Sequence, residues 1–179
     1  MMVLPFVSDV MRWTGCDSCA SDNMIKIMKS GSNIGLIPGG FQEATLYRRG
    51  EHHVYLKKRK GFIKYALKYG YSVQPVYVFG EELTFWTIQW LPTKVAFWLN
   101  SFNIPTYIFM GRMLFMPDYD MDFTCVVGKT IRFPLIEAPT SDDVNKHHAI
   151  FLKAYEDLFN RNKGKYAAKS EYEPILHIH

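Results

Sequence analysis

Across the single glycine at position 70 the chain changes its hydrophobic period. Before it, Phe62, Ile63, Ala66, Leu67 and Tyr69 fall on one broad helical face, with Lys64 and Lys68 opposite. After it, Tyr71 to Phe79 is rich in β-branched and aromatic residues (Val73, Val76, Tyr77, Val78, Phe79), the composition of a strand. A helix that hands the chain directly to a strand must bury its apolar stripe against a sheet, so the expected class is α/β. Pro75 has no N–H for a ladder and predicts a strand start or an edge position there.

The same alternation runs through the rest of the chain. Met24, Ile25, Ile27 and Met28 predict a helix over Asp22 to Ser30, with Ser21 or Asp22 as N-cap and Gly31 as its stop. Ile34 to Ile37 reads as a short buried strand ended by Pro38-Gly39-Gly40. Thr124 to Ile131 reads as another strand. Pro139-Thr140-Ser141-Asp142-Asp143 then opens a long helix, with Val144, His148, Phe151, Leu152, Tyr155, Leu158 and Phe159 on its inner stripe. Thr140 with Asp143 fits an acidic capping box. Lys163 to Lys169 is polar and basic. With no repeat or low-complexity linker, the chain reads as one compact unit.

Leu83 to Phe109 is the most apolar stretch, carrying Phe85, Trp86, Trp90, Phe97, Trp98, Phe102 and Phe109, broken by Pro92 and Pro105. Short helices on either side of Pro92 are expected. Two readings fit: Trp-rich pieces lying on a membrane interface, or a hairpin of core helices. Aromatic residues make up 16% of the 179 residues, so some of them must either fill a large core or meet something apolar outside it. No uninterrupted apolar run approaches the roughly 20 residues of a membrane-spanning helix. Met1 to Met11 has no basic flank or small-residue cleavage site and does not read as a signal peptide.

A net charge of +4, from 21 Lys and Arg against 17 acids, suits lipid head groups or a phosphate-bearing substrate, and nothing resembles a nucleic-acid motif. Cys16 and Cys19 form a CxxC without a second ligand pair, and Cys125 stands alone, so free thiols and no metal are expected. The doublets His52–His53 and His147–His148 point their members in different directions. No GxSxG, P-loop or GxGxxG followed by an acid is present.

Two segments carry chemistry. In Pro38-Gly39-Gly40-Phe41-Gln42-Glu43 the glycines permit close approach of backbone amides to a ligand, and Glu43 falls in the first turn of a following helix; a plain turn is the bland alternative. Lys57-Lys58-Arg59-Lys60 precedes Gly61 and the helix of Phe62 and Lys64. It is either a solvated charge run or a seat for phosphates.

Taken in order, these segments, Pro75-Val76-Tyr77-Val78-Phe79-Gly80-Glu81, Gly111-Arg112, Val126-Val127-Gly128-Lys129, and Pro139-Thr140 with His147-His148 resemble the diacylglycerol acyltransferase type-two family, which includes monoacylglycerol and wax-ester-forming enzymes. The resemblance runs from about Leu4 to about Lys165. It implies a central mixed sheet flanked by helices, glycerolipid-acyltransferase-like and incomplete at its N-terminus. Residues 1–165 would then be the C-terminal part of one acyltransferase domain, with 166–179 a polar tail. It implies transfer of a fatty acyl group from acyl-CoA, as co-substrate with no other cofactor, to diacylglycerol or a related glycerolipid or long-chain alcohol. The setting would be the cytosolic face of the endoplasmic reticulum membrane or a lipid droplet. By the same resemblance Glu43 is the catalytic-site residue, and Pro38, Gly39, Gly40, Arg59, Lys60, Gly61, Phe62, Lys64, Gly111 and Arg112 bind substrate.

The sequence also departs from the family. The family's general base is the histidine of a His-Pro-His-Gly motif, and these 179 residues contain none. The family's transmembrane hairpin is not seen, Met113 stands where the turn usually has glycine, Thr130 stands where proline is usual, and Met116 to Asp122 is short. The expectation is therefore a fragment of an acyltransferase. The alternative is a non-catalytic membrane-surface protein that binds lipid or a partner, and behind that a soluble lipid carrier.

Overall fold

The computed structural model describes residues 13–88, 90–102, 104, 106, 108–112, 116, 122–167 and 173–179. The reading of Met1 to Met11, Pro105, Met113 and most of Met116 to Asp122 lies outside them. By contacts the chain forms two compact units, Met1–Leu36 and Ile37–His179, where the sequence reads as one.

The first unit contains helix α1, Ser21–Lys29, with Met24 and Met28 buried. Its N-cap is Ala20, so Ser21 and Asp22 are the first two residues of the helix rather than its cap. Gly31, at φ +73°, ends it as expected, in the left-handed conformation that glycine adopts at least cost. Ile34 to Ile37 is not a strand. No neighbouring strand pairs with it among the described residues, and Ile37 at the start of the second unit is exposed.

The second unit runs α2 (Gly40–Leu46), β1 (His52–Val54), α3 (Gly61–Tyr69), β2 (Val76–Phe79), a 3₁₀ turn (Glu81–Leu83), β3 (Trp86–Ile88), α4 (Thr93–Asn100), β4 (Ile108–Met110), β5 (Thr124–Val127), α5 (Ser141–Tyr166) and β6 (Leu176–Ile178). The α/β class holds, but among the described residues the strands do not join into one central mixed sheet. The strands pair as three two-stranded ladders: β1 with β6 in parallel, β2 with β5 and β3 with β4 antiparallel. Short strands are the physical reason. β2 begins only after Pro75 and stops at Gly80, whose φ of +97° turns the chain out of the ladder. The pairing of Tyr71–Phe79 with Thr124–Ile131 survives outside β2 and β5 as a single Val73–Ile131 bridge. Between the two stretches Gly128 donates to the Pro75 carbonyl at 2.8 Å, where a Cβ would overlap the proline.

Helix α5 organises the core. Thr140 and Asp143 close the expected capping box, with Asp143 N–H donating to Thr140 Oγ1 at 3.1 Å and Thr140 N–H to Asp143 Oδ2 at 3.0 Å. The helix lays Phe151, Tyr155, Leu158 and Phe159 against α3 and β2. Ile63, Leu67, Phe79 and Phe159 are wholly buried, and the Phe79 and Phe159 rings stack at 5.6 Å.

Two expectations fail locally. The piece before Pro92 is β3, not a helix, because Trp86, Thr87 and Ile88 register against Met110, Phe109 and Ile108. Only the piece after Pro92, α4, is helical. The tail past 165 is not wholly polar: Leu176–Ile178 forms β6 on β1, with His179 N–H donating to the Val54 carbonyl at 2.8 Å and Lys57 N–H to the His179 carbonyl at 2.7 Å.

Candidate active site

Pro38-Gly39-Gly40 turns the chain into α2, and both glycines are needed there. Gly40 sits at φ +62°, and a Cβ on Gly39 would overlap the Glu43 side chain. Glu43, in the first turn of α2, folds back over this turn, and its Oε2 accepts the backbone N–H of Tyr55 at 2.8 Å. Tyr55 directly follows β1, so this bond fastens the glycine turn to the start of the basic segment.

Arg59 makes the return connection. Its Nη2 donates to Gln42 Oε1 at 2.5 Å and to the Gly39 carbonyl at 3.4 Å, and its guanidinium lies 5.4 Å over the Tyr55 ring. Arg59 Nε is buried with no hydrogen-bond partner, a donor the protein itself leaves unused. Burial pushes the Glu43 carboxyl above its ordinary range. The Tyr55 N–H opposes that shift, the Glu81 carboxylate adds to it and the Arg59 charge offsets it. Glu81 is raised too, by burial and by neighbouring Glu82.

The structure thus brings Gly39, Gly40, Glu43 and Arg59 together, with Pro38 entering the same turn. Lys60, Gly61 and Lys64 face a different place, an open cleft of about 270 Å³ shared with Pro139, Thr140, Ser141, Val144 and Asn145 at the start of α5. Lys60 Nζ donates to Asn145 Oδ1 at 2.7 Å across that cleft. Phe62 points elsewhere: its ring meets Phe151 edge-on at 5.1 Å and packs on the core. Gly111 and Arg112 sit at the end of β4, where Arg112 bridges Met116 and Gly111 lies against the Met116 carbonyl.

Sequence reasoning missed Gln42 and Tyr55 as members of this site. Tyr55 contributes its backbone N–H and a ring face, and neither leaves a signature in spacing. It also missed a buried cluster beside the site, in which His52 Nδ1 lies 2.9 Å from the Tyr77 hydroxyl and 3.9 Å from Glu82 Oε2. Gly80 N–H donates to the same Glu82 oxygen at 2.9 Å. Burial lowers the His52 pKa against the pull of Glu82.

Compared with known proteins, residues 1–177 match the family model described as diacylglycerol acyltransferase. The chain belongs to that family. It is 33% identical to Diacylglycerol O-acyltransferase 2 of Dictyostelium discoideum, over 93% of this chain and 54% of the relative. Against Diacylglycerol O-acyltransferase 2 of Homo sapiens the identity is 31%, over 81% of this chain and 40% of the relative. Against Acyl-CoA wax alcohol acyltransferase 2 of Mus musculus it is 29%, over 97% and 56%. The chain therefore spans about half the length of the curated relatives it matches. No solved structure matches it.

At the Glu43–Arg59 contact, burial raises the carboxyl above its ordinary range and the buried Arg59 Nε–H has no hydrogen-bond partner. The Lys60–Lys64 cleft has two ammonium groups on an open rim.

Proposed function

We propose that this chain holds the substrates for O-acyl transfer from acyl-CoA to the hydroxyl of diacylglycerol or a related lipid acceptor. In that reaction the acceptor oxygen attacks the thioester carbonyl, a C–O bond forms, the C–S bond breaks, and the hydroxyl proton passes through a general base to the departing thiolate. The family's base is a motif histidine that these residues lack, so proton abstraction is assigned to a histidine outside them. Lys60 and Lys64 are proposed to seat the phosphates of coenzyme A. Glu43 and Arg59 are proposed to hold the turn and the basic segment in one geometry, with Arg59 Nε open to a carbonyl or phosphate oxygen. The observation that carries this reading is the docking of two sequence segments on each other through the Glu43–Tyr55 and Arg59–Gln42 bonds.

The proposed setting is a membrane surface of the endoplasmic reticulum, cytosolic side, or a lipid droplet. Trp86, Ile88, Trp90, Trp98, Phe102 and Ile108 are exposed on β3, α4, β4 and the adjoining segments, as interfacial aromatic residues are. Among the described residues no helix is long and apolar enough to cross a membrane.

Equilibrium binding of palmitoyl-CoA to the purified chain tests the proposal. Lys60→Ala with Lys64→Ala should weaken it about tenfold, a loss equivalent to one charge-assisted contact, while binding of dephosphorylated pantetheine thioesters should be unaffected. No binding of palmitoyl-CoA, or equal binding by the double variant, refutes the assignment.

A further inference from the structure

The ladder of β1 and β6 presents four metal-liganding side chains on one face. In β1, His52 and Val54 turn into the core, so His53 turns the other way, and Glu51 two residues earlier shares its side. In β6, Leu176 and Ile178 pack on the core, which sends His177 and His179 outward. The parallel register sets His53 opposite His177. His53 Nε2 lies 2.6 Å from Glu51 Oε2, and His53 Nδ1 lies 3.0 Å from His179 Nε2. The His177 ring stacks on His53 at 4.8 Å, 6.5 Å from the His179 ring.

The Glu51 carboxylate accepts from His53 Nε2–H, and the 3.0 Å separation of His53 Nδ1 and His179 Nε2 has room for one shared proton. A carboxylate that orients a histidine from behind is the usual outer partner of a metal-bound imidazole. One proton now occupies the place between two nitrogens. Two Zn–N bonds at a tetrahedral angle need those nitrogens about 3.3 Å apart, a small opening from the present spacing.

We propose that His53 and His179, with His177 as third ligand, bind a divalent transition-metal ion of the Zn²⁺, Ni²⁺ or Cu²⁺ class, which favours imidazole donors. Among the described residues no three such groups already converge on one point. The exposed His177 ring turns from its stack on His53 to complete the set. Glu51 favours a cation here and the nearby Lys57 charge opposes it. The bound ion would clip residues separated by 126 positions, fastening β6 to β1.

Titration of the full chain with Zn²⁺ by calorimetry, and with Co²⁺ by visible absorption, tests this. One saturable equivalent is expected. It should vanish in His53→Gln and in His179→Gln, weaken about tenfold in Glu51→Gln, and weaken in His177→Gln. Cys16→Ser/Cys19→Ser and His147→Gln should leave it unchanged. At free Zn²⁺ a hundredfold above Kd, Tm should rise about 5–10 °C over each protein's own metal-free value, so that a variant's folding defect is not read as lost binding. Absence of saturable binding, its survival in both His53→Gln and His179→Gln, or its loss in the cysteine variant overturns the proposal. Unchanged affinity in His177→Gln overturns the third ligand.

Discussion

Two regions of the second unit share an aromatic, apolar composition and meet opposite fates. In the core beneath α5, Tyr77, Phe79 and Phe159 pack ring to ring, Phe151 joins them through Tyr155, and all five are buried. In the limb made of β3, α4 and β4, Trp86, Trp90 and Trp98 are each more than 60% exposed. Polar contacts help fasten the limb to the rest, beside the Tyr55–Phe97 and Tyr47–Phe109 ring contacts at 6.0 and 5.9 Å. Asn100 Nδ2 donates to Thr45 Oγ1 at 2.5 Å, Thr106 Oγ1 donates to Asn100 Oδ1 at 3.4 Å, and all three residues are buried. The Tyr47 hydroxyl donates to the Glu82 carbonyl at 2.9 Å and accepts from Phe85 N–H at 3.1 Å. Arg49 lies 4.5 Å over the Trp86 ring. Aromatic residues hold the core together, whereas the limb leaves its three tryptophans exposed and is held by hydrogen bonds together with the ring contacts of Phe97 and Phe109.

The largest effect that would break this contrast is expected in the core. Phe159→Ala should cost about 3–5 kcal/mol, because the site touches α5, β2 and β1 and has little freedom to collapse; urea unfolding reads it. Asn100→Ala should cost about 1–3 kcal/mol by removing two hydrogen bonds from a buried cluster. If that variant unfolds no more easily than the parent, the polar clasp is not what holds the limb. Trp98→Ala should change stability by less than about 0.5 kcal/mol and yet reduce co-sedimentation with anionic lipid vesicles. Equal losses of stability for Trp98→Ala and Phe159→Ala would erase the distinction between the regions.

The smallest effect expected is a pH dependence within the body. His52 and His148 have pKa values lowered from 6.5 by burial, with Glu82 opposing the shift at His52 and the Leu56 carbonyl opposing it at His148. A depressed folded value means that the unfolded chain takes up the proton first. Their contribution to stability is therefore intact above pH 6.5 and is lost as pH falls through the folded values. Glu43, raised above 4.5, has the opposite sign and favours the fold as it becomes protonated. The urea midpoint should fall between pH 7.5 and pH 5.5, and His148→Gln should flatten that fall.

Local signals were legible wherever one residue type suffices. Gly70 ended α3 in the left-handed conformation, Pro75 started β2, Gly40 opened α2, and Thr140 with Asp143 capped α5. The inner stripe of α5 follows directly from its helical period. The family was legible too, through motif order, and the family comparison bears it out. Strand pairing was not legible, because it depends on partners far away in sequence. Ile34 to Ile37 has a strand's composition and no strand partner among the described residues, while the short alternation of Leu176, His177 and Ile178 found one in β1 across more than a hundred residues.

The candidate site divides in the same way. Residue types pointed to the Gly39-Gly40 turn and to the cationic run that holds Arg59, since close backbone approach needs glycine and phosphate recognition needs cationic donors; the family resemblance, not spacing, singled out Glu43. Only the tertiary structure decided that Glu43 spends its carboxylate on the Tyr55 N–H, that Lys60 and Lys64 turn to the cleft beside α5, and that Phe62 serves the core. It likewise decided which aromatic residues are buried and which are exposed. Periodicity says that a face is apolar, but what covers that face depends on which distant segments the chain brings against it.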